Sequence, residues 1–268
     1  MEDAVLYAAA ANGVVTLTIN RPELRNPISE PDVIDGLLGA LDRMEADPTV
    51  RVAILTGAGK AFSSGGNINA MKPNAGGLNG GLPARTRGNY KRGIQQLPLA
   101  FAALEVPVIA AVNGPAIGAG LDLTCMCDVR IAGESARFAE SFVKLGIIPG
   151  DGGAWLLQRV IGFAKAAEMS LTGDIIDAHE ALACGLVSKV VPDAELLIAA
   201  QTLADKIAAN PPFAVRMTKR LLWEARRSDL ATVLEMSAAM QAVAHATGDH
   251  EEAVDAFLAK RAPVFKGD

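Results

Sequence analysis

At 268 residues, half of them hydrophobic and 21% charged, the chain is long enough to bury a large core, as one domain or two small ones. A formal net charge of -5 and a pI near 5.3 give nucleic acid or an anionic membrane no electrostatic claim to be the main partner. Three cysteines, Cys125, Cys127 and Cys184, are an odd number that speaks against a disulfide framework and for a reducing compartment. The opening "MEDAVLYAAA" lacks the basic start of a signal peptide. The longest charge-free apolar run, Val106 to Leu121, holds two prolines and three glycines and falls short of the roughly 20 residues of a membrane span. A cytoplasmic protein is expected.

In chain order, "AVLYAAANGVVTLTI" holds two β-prone runs around Asn12-Gly13, a dipeptide suited to a tight hairpin. Ser29, Pro31 and Asp32 signal a helix start, followed by Val33, Ile34, Leu37, Leu38, Leu41 and Met44 on one face, with an end near Asp47-Pro48. A buried strand is predicted from Val50 to Thr56, then a glycine-rich turn and the pair Gly65-Gly66 leading into a short helix. From Lys72 to Gly88 the glycine, asparagine and proline content reads as a mobile loop rather than a domain linker, with a long helix expected from about Asn89 to Leu104. A strand from Val108 to Val112, the turn "NGPAIGAG" and a helix from near Gly118 then repeat the earlier plan. After the strand "VRIAG", the segment "ESARFAESFVKLGIIPGDGGAW" reads as another glycine-rich loop. Asp177 with Glu180 starts a helix that stops at Cys184-Gly185, Asp193 starts one that runs to Asn210, and from Pro211 onward everything is helical in pattern. Arg216, Lys219, Arg220, Arg226 and Arg227 recur at helical spacing and read as a solvated face. Alternating strands and helices followed by a helical run predict an α/β core with a C-terminal helical subdomain.

The two bare turns carry the chemistry. Glycine at a helix start removes the Cβ that would hold a ligand off the backbone, so free N–H groups can point at a negatively charged oxygen. Two such turns after neighbouring strands, one near Gly66 and one near Ala119, would make an oxyanion hole, and Asp122 is the single carboxylate behind the second. For one turn alone, close helix-strand packing is the plain structural alternative. Competing motifs fail on spacing. "TGAGKA" is not a phosphate loop, "GPAIGAG" is not G-x-G-x-x-G, and "FSSGG" is not a nucleophile elbow. His179, His245 and His250 form no H-E-x-x-H, the cysteines read as small core residues, and no metal site is expected.

These blocks, with "TINRPELRNPIS", "GKAFSSGGNINAM", "LGIIPGDGGAWLLQRVIG", "LTGDIIDAHEALACGLVSKVV" and "AFLAKRAPVFK", resemble the crotonase (enoyl-CoA hydratase/isomerase) superfamily over almost the full chain. The resemblance implies a crotonase-like spiral of ββα repeats over residues 1–200. It implies a C-terminal helical trimerisation region over 201–268, a homotrimer or a dimer of trimers, and an acyl-CoA thioester as substrate. Coenzyme A enters as part of that substrate, with no separate cofactor, nucleic acid or membrane. The implied oxyanion-hole donors are Gly66 and Ala119. Contacts to substrate and CoA are implied at Leu24, Arg25, Ser64, Asn67, Ile68 and Phe142. Phe257 and Lys260 fall where an aromatic ring and a cation lie against the nucleotide end, and Arg25 and Lys260 suit its phosphates.

The catalytic acids depart from the pattern. Where a hydratase of this family carries two glutamates, this chain has Asp122 and Phe142. The aspartate is shorter by a methylene, roughly 1.5 Å, and misplacement near 1 Å can cost about 100-fold; the phenylalanine transfers no proton. Glu140 and Asp151 are the replacements at hand. Glu140 faces away from Phe142 if the segment is helical and shares its face if it is extended. Asp151 either shuttles protons or caps the helix beginning near Gly153. Hydration of a 2-enoyl-CoA is the leading expectation. Double-bond isomerisation by a single acid is the runner-up, and a catalytically lapsed acyl-CoA-binding protein is the alternative of another class.

Overall fold

The structure is a computed structural model and describes residues 3–72 and 77–268. The opening hairpin forms as expected, β1 (Val5–Ala9) antiparallel to β2 (Val14–Ile19). Helix α1 (Pro31–Ala46) follows with proline in its first turn. Its N-cap is Glu30 rather than Ser29, because the Ser29 hydroxyl instead accepts the Asn67 N–H at 2.9 Å. β3 (Val52–Gly57) comes next. The loop expected from Lys72 gives way at Pro83 to α2 (Pro83–Arg92), and its residues 73–76 lie outside those described. The single long helix expected from Asn89 to Leu104 is two, because Gly93 leaves helical geometry (φ -107°, ψ -118°) and separates α2 from α3 (Gln96–Ala103).

The repeat is more regular than the sequence pattern implies. β4 (Val108–Val112), β5 (Pro115–Ile117) and α4 (Ala119–Met126) make one unit; β6 (Val129–Gly133), β7 (Arg137–Ala139) and α5 (Gly153–Ile161) make the next. The "bare turn" and the "glycine-rich loop" therefore each hide a three-residue strand, too short to show a period of two. Then follow α6 (Phe163–Thr172), β8 (Ile175–Asp177), α7 (Ala178–Ala183), β9 (Lys189–Val191), α8 (Leu196–Ala208) and three last helices, α9 (Pro212–Ala225), α10 (Leu230–His245) and α11 (Gly248–Ala259). Asp177 caps α7 by accepting the Glu180 N–H at 2.8 Å, as its spacing predicts. One strand per unit enters a six-stranded sheet ordered β1-β2-β3-β4-β6-β9, parallel except for the opening hairpin; the short strands form a second sheet, β5-β7-β8.

β3 and β4 are buried at every position, which explains their unbroken apolar runs. Alternate residues face two cores. Ala53, Leu55, Val108 and Ala110 pack with α1, α3 and α4. Ile54, Ile109 and Ala111 pack under Leu196, Ala200 and Ala204 of α8.

The basic stretch of α9 is not a solvated face. Lys219 is 5% exposed, donates to the Val106 carbonyl at 2.7 Å and pairs with Asp128 at 2.9 Å. Arg216 pairs with Glu45, and Arg226 lies over the rings of Trp155 and Trp223. Helical spacing alone does not separate a wet cation row from one whose apolar stems and buried heads anchor the helix. Among the described residues no helix is long and apolar enough to cross a membrane.

Candidate active site

Strand register brings the two bare turns together. Ser63 bridges Ala116 in parallel, so three residues further along each chain segment Gly66 and Ala119 arrive side by side. The turns are close enough that a Cβ on Gly65 would lie 2.3 Å from the Ile117 carbonyl and 3.2 Å from the Ala119 nitrogen. Gly65 (φ +84°) and Gly118 (φ +53°) both need the left-handed region that side chains resist. Ala119 opens α4, where the N–H has no partner within the helix. Among the described residues neither its N–H nor that of Gly66 donates a hydrogen bond. Two free donors thus meet at the first turn of a helix, the arrangement that stabilises an oxyanion.

The acids converge one layer behind. Asp122 lies one turn into α4, fully buried. β7 pairs with β5 so that Ile117 sits opposite Ala139, and the Gly118 N–H donates to the Ala139 carbonyl at 2.7 Å; Glu140, the next residue, thereby enters beside α4. Its backbone (φ -95°, ψ 67°) is neither helical nor extended, and it precedes a short 3-10 turn, Ser141–Leu145. Neither simple alternative holds. Glu140 points in at Asp122, and Phe142 points in elsewhere, its ring laid over Gly118. A Cβ on Gly153 would fall 2.2 Å from Asp122 Oδ1 and 2.3 Å from Glu140 Oε1. The two carboxyls are therefore neighbours, and only glycine fits between them and α5.

The four oxygens find no side-chain donor apart from each other, and the Gly153 N–H beside Asp122 favours its ionised form against burial. Burial first, then the charges of Glu140 and Asp151, holds Asp122 well above the usual carboxylate range. Burial pushes Glu140 up to about 8, against a lowering from its bond to Asp122. Asp151 does not cap α5, whose N-cap is Gly152. It is 3% exposed, its Oδ1 has no partner, and burial raises it to about 6. Its charge is felt by both other acids and by Tyr90.

Several of the residues expected to meet substrate form an exposed rim. Leu24 and Ile68 are 52% and 63% exposed. Ser64 ties that rim to the turn, its N–H donating to the Arg25 carbonyl at 2.8 Å and its hydroxyl to the Leu24 carbonyl at 3.4 Å. Arg25 and Asn26 both have positive φ. Asn26 holds the turn by donating to the Ala58 and Ala61 carbonyls. Asn67 is pinned by Ser29 and donates to Glu30 at 2.8 Å. Phe257 and Lys260 lie at the end of α11, which packs on α10; Phe257 is 84% exposed, and Lys260 (φ 52°) closes the helix.

Sequence reasoning misses Gly153, Asn26 and Tyr90. Gly153 is signalled only by "GDGG", and Asn26 only by lying between Arg25 and a proline. Tyr90, whose ring lies against Gly150, carries no signal. Cys125 and Cys127 are buried, and burial pushes the Cys125 thiol up to about 12, so both serve as core.

A parallel sheet wound in ββα units, with two bare-turn donors near buried acids, defines a crotonase-type fold. The family model for enoyl-CoA hydratase/isomerase matches residues 9–268, and the chain belongs to that family. It is 40% identical over 256 residues to the 1,2-epoxyphenylacetyl-CoA isomerase of Escherichia coli K12, covering 95% of each chain. It is 37% identical to the 2,3-dehydroadipyl-CoA hydratase of the same organism, covering 98% of each. The crystal structure of an enoyl-CoA hydratase from Bacillus anthracis superposes with a TM-score of 0.92 at 35% identity, covering 99% of this chain and all of that one. The chain is thus an enoyl-CoA hydratase/isomerase-type enzyme, and its family acts on CoA thioesters.

Proposed function

We propose that this enzyme adds water across the double bond of a 2-enoyl-CoA. The observation that carries the reading is the Asp122–Glu140 carboxyl pair at Gly153. It supplies a second acid from residue 140 where the family pattern leads to Phe142. Coupled carboxyls lose their protons in two steps, and between the steps one is ionised and the other protonated, the two states that hydration needs at once. The ionised carboxyl takes a proton from water as its oxygen bonds to C3. The C2–C3 electron pair moves to C2 and onto the thioester oxygen, held by the Gly66 and Ala119 N–H groups. The protonated carboxyl then delivers its proton to C2. Losing one such donor costs about 100- to 1000-fold.

The CoA arm lies along Leu24, Arg25, Ser64, Asn67 and Ile68 in this reading. Phe257 and Lys260, exposed at the end of the last helix, serve the nucleotide of CoA bound to a neighbouring copy. The protein self-associates through residues 201–268 as a homotrimer or a dimer of trimers and works in the reducing cytoplasm, as its free thiols suit.

Isomerisation is the second reading, favoured by Asp151, a third buried acid raised to about 6 that suits carrying one proton between C4 and C2 without water. Turnover in deuterated water separates the readings. Crotonyl-CoA is expected to gain one water, with deuterium at C2. A 3-enoyl-CoA that moves its double bond, with crotonyl-CoA left unhydrated, would establish the isomerase. Binding with neither reaction would establish a lapsed enzyme.

A further inference from the structure

A cavity of about 570 Å³ is lined apart from the oxyanion turns. It lies where α3, the start of α5 and α9 meet, and it shares a wall with the site. Gly150 and Gly152 line it, and the charge of Asp151, the buried residue between them, is felt by Asp122 and Glu140. Gln95 bridges the seam, donating to the Gly150 carbonyl at 2.8 Å. The volume is that of a small-molecule site.

Its lining is mixed in character. Pro98, Leu99 and Ala102 of α3 give an apolar side. Trp155 and Trp223 stand parallel, 6.3 Å between centroids. α9 and its C-terminal turn also contribute Arg220, Glu224 and Arg227. Glu224 is ionised and satisfied, bonded to Arg227 at 2.6 Å and to the Ser228 hydroxyl at 2.7 Å. Arg220 makes no ion pair and no side-chain hydrogen bond among the described residues. Arg159 and Arg226, set over the tryptophan rings, make the field there more positive. An apolar lining that also presents a guanidinium free of ion pairs matches a chain of methylenes ending on a carboxylate.

We infer that this cavity seats the far end of the acyl group, and that Arg220 selects acyl-CoA thioesters whose chain terminates in a carboxylate. The inference rests on the acyl-CoA reading above and adds the class of acyl group. One charge-assisted hydrogen bond to Arg220 gives about a tenfold to hundredfold preference over the methyl-terminated chain of equal length.

Binding rather than turnover tests it. Saturated acyl-CoA and ω-carboxyacyl-CoA of six, eight and ten carbons are titrated calorimetrically into the wild type, Arg220→Gln and Arg220→Lys, each variant's fold checked by its melting curve. The carboxylate is expected to improve binding at least tenfold at one or more lengths. That gain should vanish in Arg220→Gln and return in part in Arg220→Lys. No carboxylate preference at any length, or a preference that survives Arg220→Gln, would overturn the inference. Crotonyl-CoA turnover by the same wild-type preparation distinguishes the parent reading: its absence alongside an intact carboxylate preference counts against hydration and leaves the Arg220 assignment standing.

Discussion

Glu140 reaches Asp122 from a different element, and the cost of holding two buried acids together is the clearest mark of function in the molecule. An acid raised in the folded state stays protonated while its unfolded counterpart ionises, so folding stability is full below the ordinary carboxylate range and is lost as pH rises through the folded value. For Glu140 that window runs from 4.5 to about 8. Glu140→Gln is therefore expected to lower turnover by about 100- to 10,000-fold. It should also stabilise the protein at pH 8 by roughly 2–4 kcal/mol and flatten the loss of melting temperature between pH 5 and 8. Thermal melts across that range beside steady-state rates check both, and a variant less stable than the wild type at pH 8 would remove the account of a buried Glu140 that holds its proton. Asp122 is legible in sequence because a carboxylate one turn into a glycine-started helix has one direction to point. Glu140 is not, since its direction is set by a single irregular residue between a strand and a 3-10 turn, which no periodicity encodes.

At the scale of elements, the long β3 and β4 and the capped helices are legible because each repeats one pattern over a full length. β5 and β7 are not, because three residues cannot display a period, and the register they set is what aligns Gly66 with Ala119. Helix α9 shows the same limit in energetic form. Its basic row reads as surface, yet Lys219 and Trp223 both end on Asp128, at 2.9 Å each, and Asp128 in turn accepts the Val108 N–H of β4 at 2.8 Å. One carboxylate so ties α9 to the strand that leads into the oxyanion turn. Lys219→Met leaves that carboxylate and the Val106 carbonyl without their cation. It is expected to cost about 3 kcal/mol, read as a lower midpoint in urea, with KM rising through loosening of α9. Asp128→Asn in the same background should add little, since the two side chains act as one unit.

The whole molecule carries an apolar excess that one chain does not bury. Helix α10 has no buried residue, although its sequence, "LATVLEMSAAMQAVAH", is apolar on most faces; Leu230 and Leu234 are 74% and 59% exposed. α11 adds Phe257 and Leu258, 84% and 74% exposed. Contiguous exposure of this kind marks an interaction surface, and a helix hydrophobic all round is one that expects cover. If the cover is other copies of the chain, the same contact brings Phe257 and Lys260 to a neighbour's CoA, and assembly and affinity rise or fall together. Leu234→Glu sets a charge into that surface without touching the Asp122–Glu140 pair. It is expected to reduce the sedimenting mass from a multiple of three chains to one and to weaken acyl-CoA binding about tenfold or more, with the melting curve of the single chain retained. Weakened binding at unchanged mass would place Phe257 and Lys260 within one chain's own site. Dissociation with unchanged binding would take them away from CoA altogether and leave the rim at Leu24, Arg25 and Ile68 to hold it alone.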